Sequence, residues 1–150
     1  MSQSLTQIYV HIIFHIKNDP IPIRQVDADK LYAYMCGVIK QHDSIPLAVN
    51  GMPDHVHILC LLSKNMALSD LVQKVKQNSS RWIKSLDIYY QHFEWQSGYG
   101  GFSVSSSIVE KTGRYIRNQQ EHHRKRSFRE EYLLFLKEYG IEYNEDYLWR

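Results

Sequence analysis

The sequence predicts an α+β protein: a ferredoxin-like β-α-β-β-α-β sandwich with an added C-terminal helix. Three observations carry that prediction. Runs rich in aromatic and β-branched residues, such as "YVHIIFH" and "HVHILCLL", read as strands. Two longer segments repeat apolar residues at helical spacing. The two kinds follow one another as strand, helix, strand, strand, helix, strand. A chain of 150 residues is most simply one domain, residues 1–150, and its 43% hydrophobic and 23% charged content is that of a globular protein.

The first strand is expected at about residues 7–17, closed by a loop holding Pro20 and Pro22. The helix that follows places Leu31, Tyr34, Met35, Val38 and Ile39 on one side, with Asp27 or Asp29 near its start. The stretch "IPLAVNGMPDHVHILCLL" reads as two strands joined by a turn containing glycine and proline. A second helix, about residues 69–86, has a stripe of Leu71, Val72, Val75, Trp82, Ile83 and Leu86. Lys74, Lys76, Arg81 and Lys84 are expected to face outward. A glycine-rich aromatic loop then leads to a short strand near residues 102–104.

Beyond it, Ile108, Val109, Thr112 and Ile116 mark the packed side of a helix that starts from the serines at 105–107. Ser127 with Glu130 forms a capping box for a last helix ending at Gly140, and the aromatic tail "IEYNEDYLWR" is expected to dock. Of the aromatic set Tyr89, Tyr90, Phe93, Trp95 and Tyr99, most are expected in the core.

Two classes are set aside by composition. No segment approaches the length of a membrane span, and the first residues lack a basic flank with an apolar signal core, so a cytoplasmic protein is expected. Cys36 and Cys60 lack metal-type spacing and read as reduced, buried thiols. The net charge of +2 is modest, but Lys111, Arg114, Arg117, Arg124, Lys125, Arg126 and Arg129 crowd one span against Glu121 alone. Such a local excess suits a polyanion, although a solvated helix face explains it equally well.

The chemistry centres on His55 and His57. Residues two apart on a strand share a face, so the imidazoles stand side by side while Val56, Ile58 and Cys60 point the other way. If the helices cover one face of the sheet, the histidines lie on the other, left free. Two such imidazoles are half a metal site. On their own a chance surface pair explains them better, so a third ligand and a reactive group are needed. Tyr115 and Gln119, four residues apart on the predicted helix, share a face and offer a hydroxyl and an amide oxygen. His11 and His15 are placed beside the site rather than in it.

The ordered set His55-Val56-His57 after "GMPD", with Tyr115 and Gln119 in "RYIRNQQEHH", resembles the single-tyrosine HUH transposases of small bacterial insertion sequences, including the REP-associated tyrosine transposases. "YVHIIFHIKN", "WQSGYGGFSVS", "FREEYLLFL" and the closing "YLW" extend the likeness over nearly the whole chain.

The resemblance implies an enzyme that cuts and rejoins single-stranded DNA at hairpin-marked element ends. Tyr115 would be the nucleophile, forming a 5′-phosphotyrosine link. His55, His57 and Gln119 would hold a divalent ion, magnesium or manganese before zinc. Lys111, Arg114, Arg117, Arg124, Lys125 and Arg126 would contact DNA, with His122 and His123 as possible further contacts and part of the aromatic set stacking on unpaired bases. It also implies a homodimer, with Tyr115 acting in cis or in trans. No nucleotide cofactor is expected, because the covalent link preserves the phosphodiester energy and the chain has no Walker-type phosphate loop. The sequence names no general base.

Three rival readings are a domesticated DNA hairpin-binding protein, a relaxase- or initiator-like nicking enzyme, and a zinc module built from His55, His57, His122 and His123. The single tyrosine and the glutamine in the third ligand position favour the transposase over the nicking enzymes. The complete set of four residues is more than binding alone requires.

Overall fold

The computed structural model describes residues 2–17 and 21–150; Pro20 of the predicted first loop lies outside them. Four strands form one antiparallel sheet: β1 (Tyr9–His15), β2 (Ile45–Met52), β3 (His55–Leu61) and β4 (Gly100–Val104), in the order β2-β3-β1-β4. Helix α1 (Gln25–Gln41) connects β1 to β2, and α2 (Leu68–Leu86) connects β3 to β4. The element order is therefore the expected β-α-β-β-α-β. Four shorter helices follow: α3 (Val109–Arg117), α4 (Gln119–His122), α5 (Phe128–Glu138) and α6 (Glu145–Leu148).

Strand alternation divides the core. Val10, Ile12, Phe14 and Ile16 of the first strand region, with Val56, Ile58 and Cys60 of β3, point to α1 and α2. They pack there against Leu31, Met35, Ile39, Leu71, Val75 and Ile83. Within α2, Ser79 takes a buried place and accepts a hydrogen bond from the Trp95 indole, whereas Leu86 of the predicted stripe is exposed. Trp82 is partly buried and stacks on Tyr34, ring centroids 5.0 Å apart. Lys76 is the one predicted outward lysine of α2 that turns elsewhere. Its ammonium donates to the carbonyls of Gln96 and Gly98, and burial pushes its pKa down to about 8.

The opposite face of the sheet is not free, contrary to the sequence expectation. His55, His57, Ile13, Leu59 and Phe102 are buried there. Ile116 of α3 packs on Ala48, Leu59 and Val104, while Phe128, Tyr132 and Leu136 of α5 cover Ile13 and Phe102 together with Trp149 from the tail. The physical reason lies in both partners. This face carries Ile13, Leu59 and Phe102 besides its histidines, and the C-terminal helices each have an apolar stripe that must be buried against something. The docked tail is held by Trp149 and by a hydrogen bond from the Ser97 amide to the Arg150 carbonyl.

The turn between β2 and β3 sets the position of His55. Met52 pairs with His55, and Gly51 pairs with Val56 at the same end of the hairpin. A Cβ on Gly51 would lie 2.1 Å from the His55 carbonyl oxygen, so only glycine permits this approach of the two backbones.

Candidate active site

The imidazoles project from the middle of the sheet toward α4 and α5. In the antiparallel register His55 faces His15 and His57 faces Ile13, so all four share one face. His55 and His57 are fully buried. Gln119, buried at the start of α4, brings its amide oxygen 3.1 Å from His55 Nε2 and 3.1 Å from His123 Nε2. Tyr115 is half-buried in α3, and its hydroxyl donates to Glu131 Oε2. The structure thus brings Tyr115, His55, His57 and Gln119 together.

Two residues that sequence reasoning did not place in this group complete it. Glu131 of α5 is 2% exposed. Its Oε1 accepts from His57 Nε2 at 2.9 Å and lies 3.3 Å from His123 Nε2 and 3.6 Å from His55 Nε2. The Gln119 amide donates to the other carboxylate oxygen at 3.2 Å. One donor atom each from His55, His57, His123 and Glu131 all fit within 4.8 Å of one another. His123 was read only as a DNA contact or a zinc-module ligand. Glu131 had one visible signal: it shares the apolar stripe of α5 with Phe128, Tyr132 and Leu136, where a carboxylate has no reason to be without partners.

The helix expected to carry both Tyr115 and Gln119 is broken between them. α3 ends at Arg117 and α4 starts at Gln119. Asn50 of β2 donates to the carbonyls of Ile116 and Arg117 at 3.0 and 3.1 Å, satisfying the end of α3 in place of a further turn. The zinc module of four histidines also fails on geometry. His122 stacks on the Tyr115 ring, centroids 4.3 Å apart, and is not one of the converging group.

Neighbouring groups fix the ring orientations. Asp54 Oδ1 lies 2.7 Å from His55 Nδ1, so Nδ1 carries a proton and Nε2 is the edge presented to Gln119 and Glu131. His11 Nε2 lies 2.8 Å from His57 Nδ1. His11, expected beside the site, therefore touches one of its histidines directly. His15 does not; its Nδ1 bonds the Ile16 carbonyl.

Burial pushes the His57 pKa down to about 4 against the pull of Glu131, and burial also lowers His11, with His57 acting in the same direction. Burial works against the Glu131 carboxylate, but the hydrogen bonds from His57 and Tyr115 outweigh it and hold the group below the usual carboxylate range. Burial and then the bond to Glu131 push the Tyr115 phenol well above its ordinary value. The resting site is therefore a carboxylate beside a neutral His57 imidazole and a protonated phenol.

Such a donor set fits a divalent cation. Imidazole nitrogens, a carboxylate oxygen and an amide oxygen converge, and outer hydrogen bonds from Asp54 and His11 hold two of the rings. Beside the cluster, Tyr115 and Glu131 line a cleft of about 380 Å3 whose other walls include Lys125 and Arg126. Lys111, Arg114, Arg117 and Arg124 are exposed on α3 and the following turn but do not line it; Arg114 and Arg124 lie near Glu110 and Glu121. Tyr90, Phe93 and Trp95 are in the core, and only Tyr89 and Tyr99 of that aromatic set are exposed. No helix among the described residues is long and apolar enough to cross a membrane.

Comparisons with known proteins agree with this architecture. A crystal structure from Deinococcus radiodurans R1, assigned to the transposases, superimposes with a TM-score of 0.61 at 23% identity, covering 79% of this chain and 98% of that one. A REP-associated tyrosine transposase bound to a REP hairpin superimposes with a TM-score of 0.57 at 14% identity, covering 82% of this chain and 74% of that one. At these identities the two structures speak to the fold. No curated protein matches the chain in sequence. Residues 4–119, well over half of the chain, match the family model described as "Transposase IS200 like". The chain belongs to the IS200-like transposase family.

Proposed function

We propose that the protein cleaves and rejoins single-stranded DNA beside hairpins, with Tyr115 as nucleophile and a divalent ion, magnesium or manganese, held at the histidine cluster. The observation that carries the reading is the contact between Tyr115 and the group formed by His55, His57, His123, Gln119 and Glu131. His55 and His57 would hold the ion through Nε2, the His57 proton that now bonds Glu131 shifting to Nδ1 toward His11. Gln119 is the third ligand by resemblance, and Glu131 and His123 are added by proximity. When bound, the ion polarises the scissile phosphate and stabilises the charge that develops on the leaving 3′ oxygen.

The chain's own residues do the rest. Lys125 and Arg126 draw the DNA backbone into the cleft, and the remaining cations of the basic span add non-specific attraction. Tyr115 Oη attacks phosphorus, its proton passing to Glu131, the acceptor already bonded to it. The P–O3′ bond breaks and the leaving oxygen takes up a proton from water, leaving a 5′-phosphotyrosine and a free 3′-OH. In the reverse step a 3′-OH attacks the same phosphorus, the tyrosine leaves and takes back a proton, and no energy cofactor is consumed.

Tyr115 meets the cluster of its own chain, which supports action in cis. The homodimer belongs to the reading by family resemblance and is not needed to complete the site. The test is a set of labelled single-stranded hairpins from the ends of the encoding element, incubated with protein and manganese and run on a denaturing gel. A metal-dependent adduct that resists detergent and disappears in Tyr115→Phe and His57→Ala supports the reading. Binding without an adduct on a cognate hairpin overturns catalysis and leaves a hairpin-binding protein.

A further inference from the structure

Nε2 of His15 is a buried polar atom with no hydrogen-bond partner among the described residues. The residue is 6% exposed, and its Nδ1 is bonded to the Ile16 carbonyl. A carbonyl oxygen only accepts, so Nδ1 carries the proton and Nε2 of the neutral ring is left as an acceptor. Leaving a buried acceptor unsatisfied costs about 1–3 kcal/mol, and such atoms in native proteins call for a specific explanation.

The imidazole is part of the wall of a cavity of about 300 Å3, shared with Lys17, Asp54, Phe128, Arg129 and Trp149. That is the lower end of the roughly 300–1,000 Å3 typical of small-ligand sites. The Phe128 and Trp149 rings stand 5.5 and 5.9 Å from the His15 ring. The Arg129 guanidinium lies over the Trp149 ring, 4.4 Å from its centroid, and lines the cavity. Lys17 brings a second cation, 3.1 Å from Glu94. Asp54 spends one carboxylate oxygen on His55 and keeps the other.

These walls describe a guest that is flat, carries N–H donors on one edge and bears a negative charge beside it. A free hydrogen-phosphate dianion has the charge and a single O–H, but no flat face to lie against the Phe128 and Trp149 rings. An unpaired nucleotide has all three features. The cavity also adjoins the proposed reaction centre. Phe128 stacks on the His55 ring with centroids 4.2 Å apart, and Asp54 bonds the same imidazole.

We infer that this cavity receives one unpaired nucleobase of the bound strand, next to the phosphate that Tyr115 attacks. Its N–H edge meets His15 Nε2, and Arg129 and Lys17 hold the flanking phosphate. The placement beside the reaction rests on the function proposed above; the pocket itself does not. The test therefore uses mononucleotides rather than hairpins. Full-length protein labelled with nitrogen-15 is titrated with each of the four deoxynucleoside 5′-monophosphates, with 2-deoxyribose 5-phosphate and with inorganic phosphate.

At least one nucleotide is expected to shift the His15 ring nitrogens and the Trp149 indole signal saturably, at least tenfold more tightly than the sugar phosphate. His15→Leu abolishes that preference. Arg129→Gln, a change at an exposed position, weakens binding even if the first variant folds poorly. Absence of a nucleotide-induced shift, or equal binding of sugar phosphate or phosphate alone, overturns the inference. A phosphotyrosine adduct combined with that negative result would leave the strand-cleavage reading standing without the pocket. Nucleotide binding without an adduct would do the reverse.

Discussion

Acidifying the metal-free protein from pH 7 to pH 5 is expected to lower its stability by ~2 kcal/mol through His57 alone. The ring is fully buried, and burial holds its pKa at about 4, against 6.5 for a free histidine. Between those values the unfolded chain takes up a proton that the folded chain refuses. Stability from this group is therefore complete above pH 6.5 and is lost as the pH falls toward 4. Each pH unit inside the window costs about 1.4 kcal/mol, and pH 5 lies about 1.5 units into it.

Glu131 acts with the same sign in a lower window, below the ordinary carboxylate range, because its folded pKa is depressed. The assay is urea denaturation in a chelating buffer at pH 7, 6 and 5, for the native protein and for His57→Gln. The variant should lose the His57 share of the slope. Adding manganese at a hundredfold excess over its dissociation constant should contribute about 2.7 kcal/mol at pH 7. That increment should shrink in acid, where protons compete for the ligands. Stability that stays flat or rises on acidification would show a charged His57 beside Glu131 and refute the neutral ring.

Three further outcomes follow from the same geometry. His11→Gln disturbs the partner of His57 Nδ1 without removing a proposed ligand, and should weaken manganese binding about 10- to 100-fold by calorimetry. Gly51→Ala must push apart the β2–β3 backbones at the His55 carbonyl. It should cost ~1–3 kcal/mol in urea midpoint analysis. Arg126→Ala, at the cleft beside Tyr115, should weaken single-stranded DNA binding and reduce the slope of log affinity against log salt by about 0.7.

Most of the scaffold was legible because strands and helices write their burial into period. The alternation of β3 separated Val56, Ile58 and Cys60 from the two histidines, and the Ser127 capping box marked the start of α5, where the hydroxyl accepts from the Glu130 amide. What stayed hidden depends on contacts distant in sequence. The break after Arg117 is held by Asn50 from a strand 66 residues earlier. Glu131 sits next to the capping glutamate and looks like another first-turn acid until α5 lies on the sheet. The supposed open face was misread for the same reason: the helices were expected to cover one face only, but Ile13, Leu59 and Phe102 beside the histidines make the other a second core.

The central claim is that Tyr115, one of eleven tyrosines, becomes covalently bonded to DNA. The most direct measurement is mass spectrometry of the adduct formed with a cognate hairpin in manganese, after digestion with nuclease and trypsin. The account predicts a phosphonucleotide mass on the peptide Tyr115-Ile116-Arg117 and on no other. The same mass on a different tyrosine, or its complete absence from a preparation that cleaves the hairpin, would contradict it.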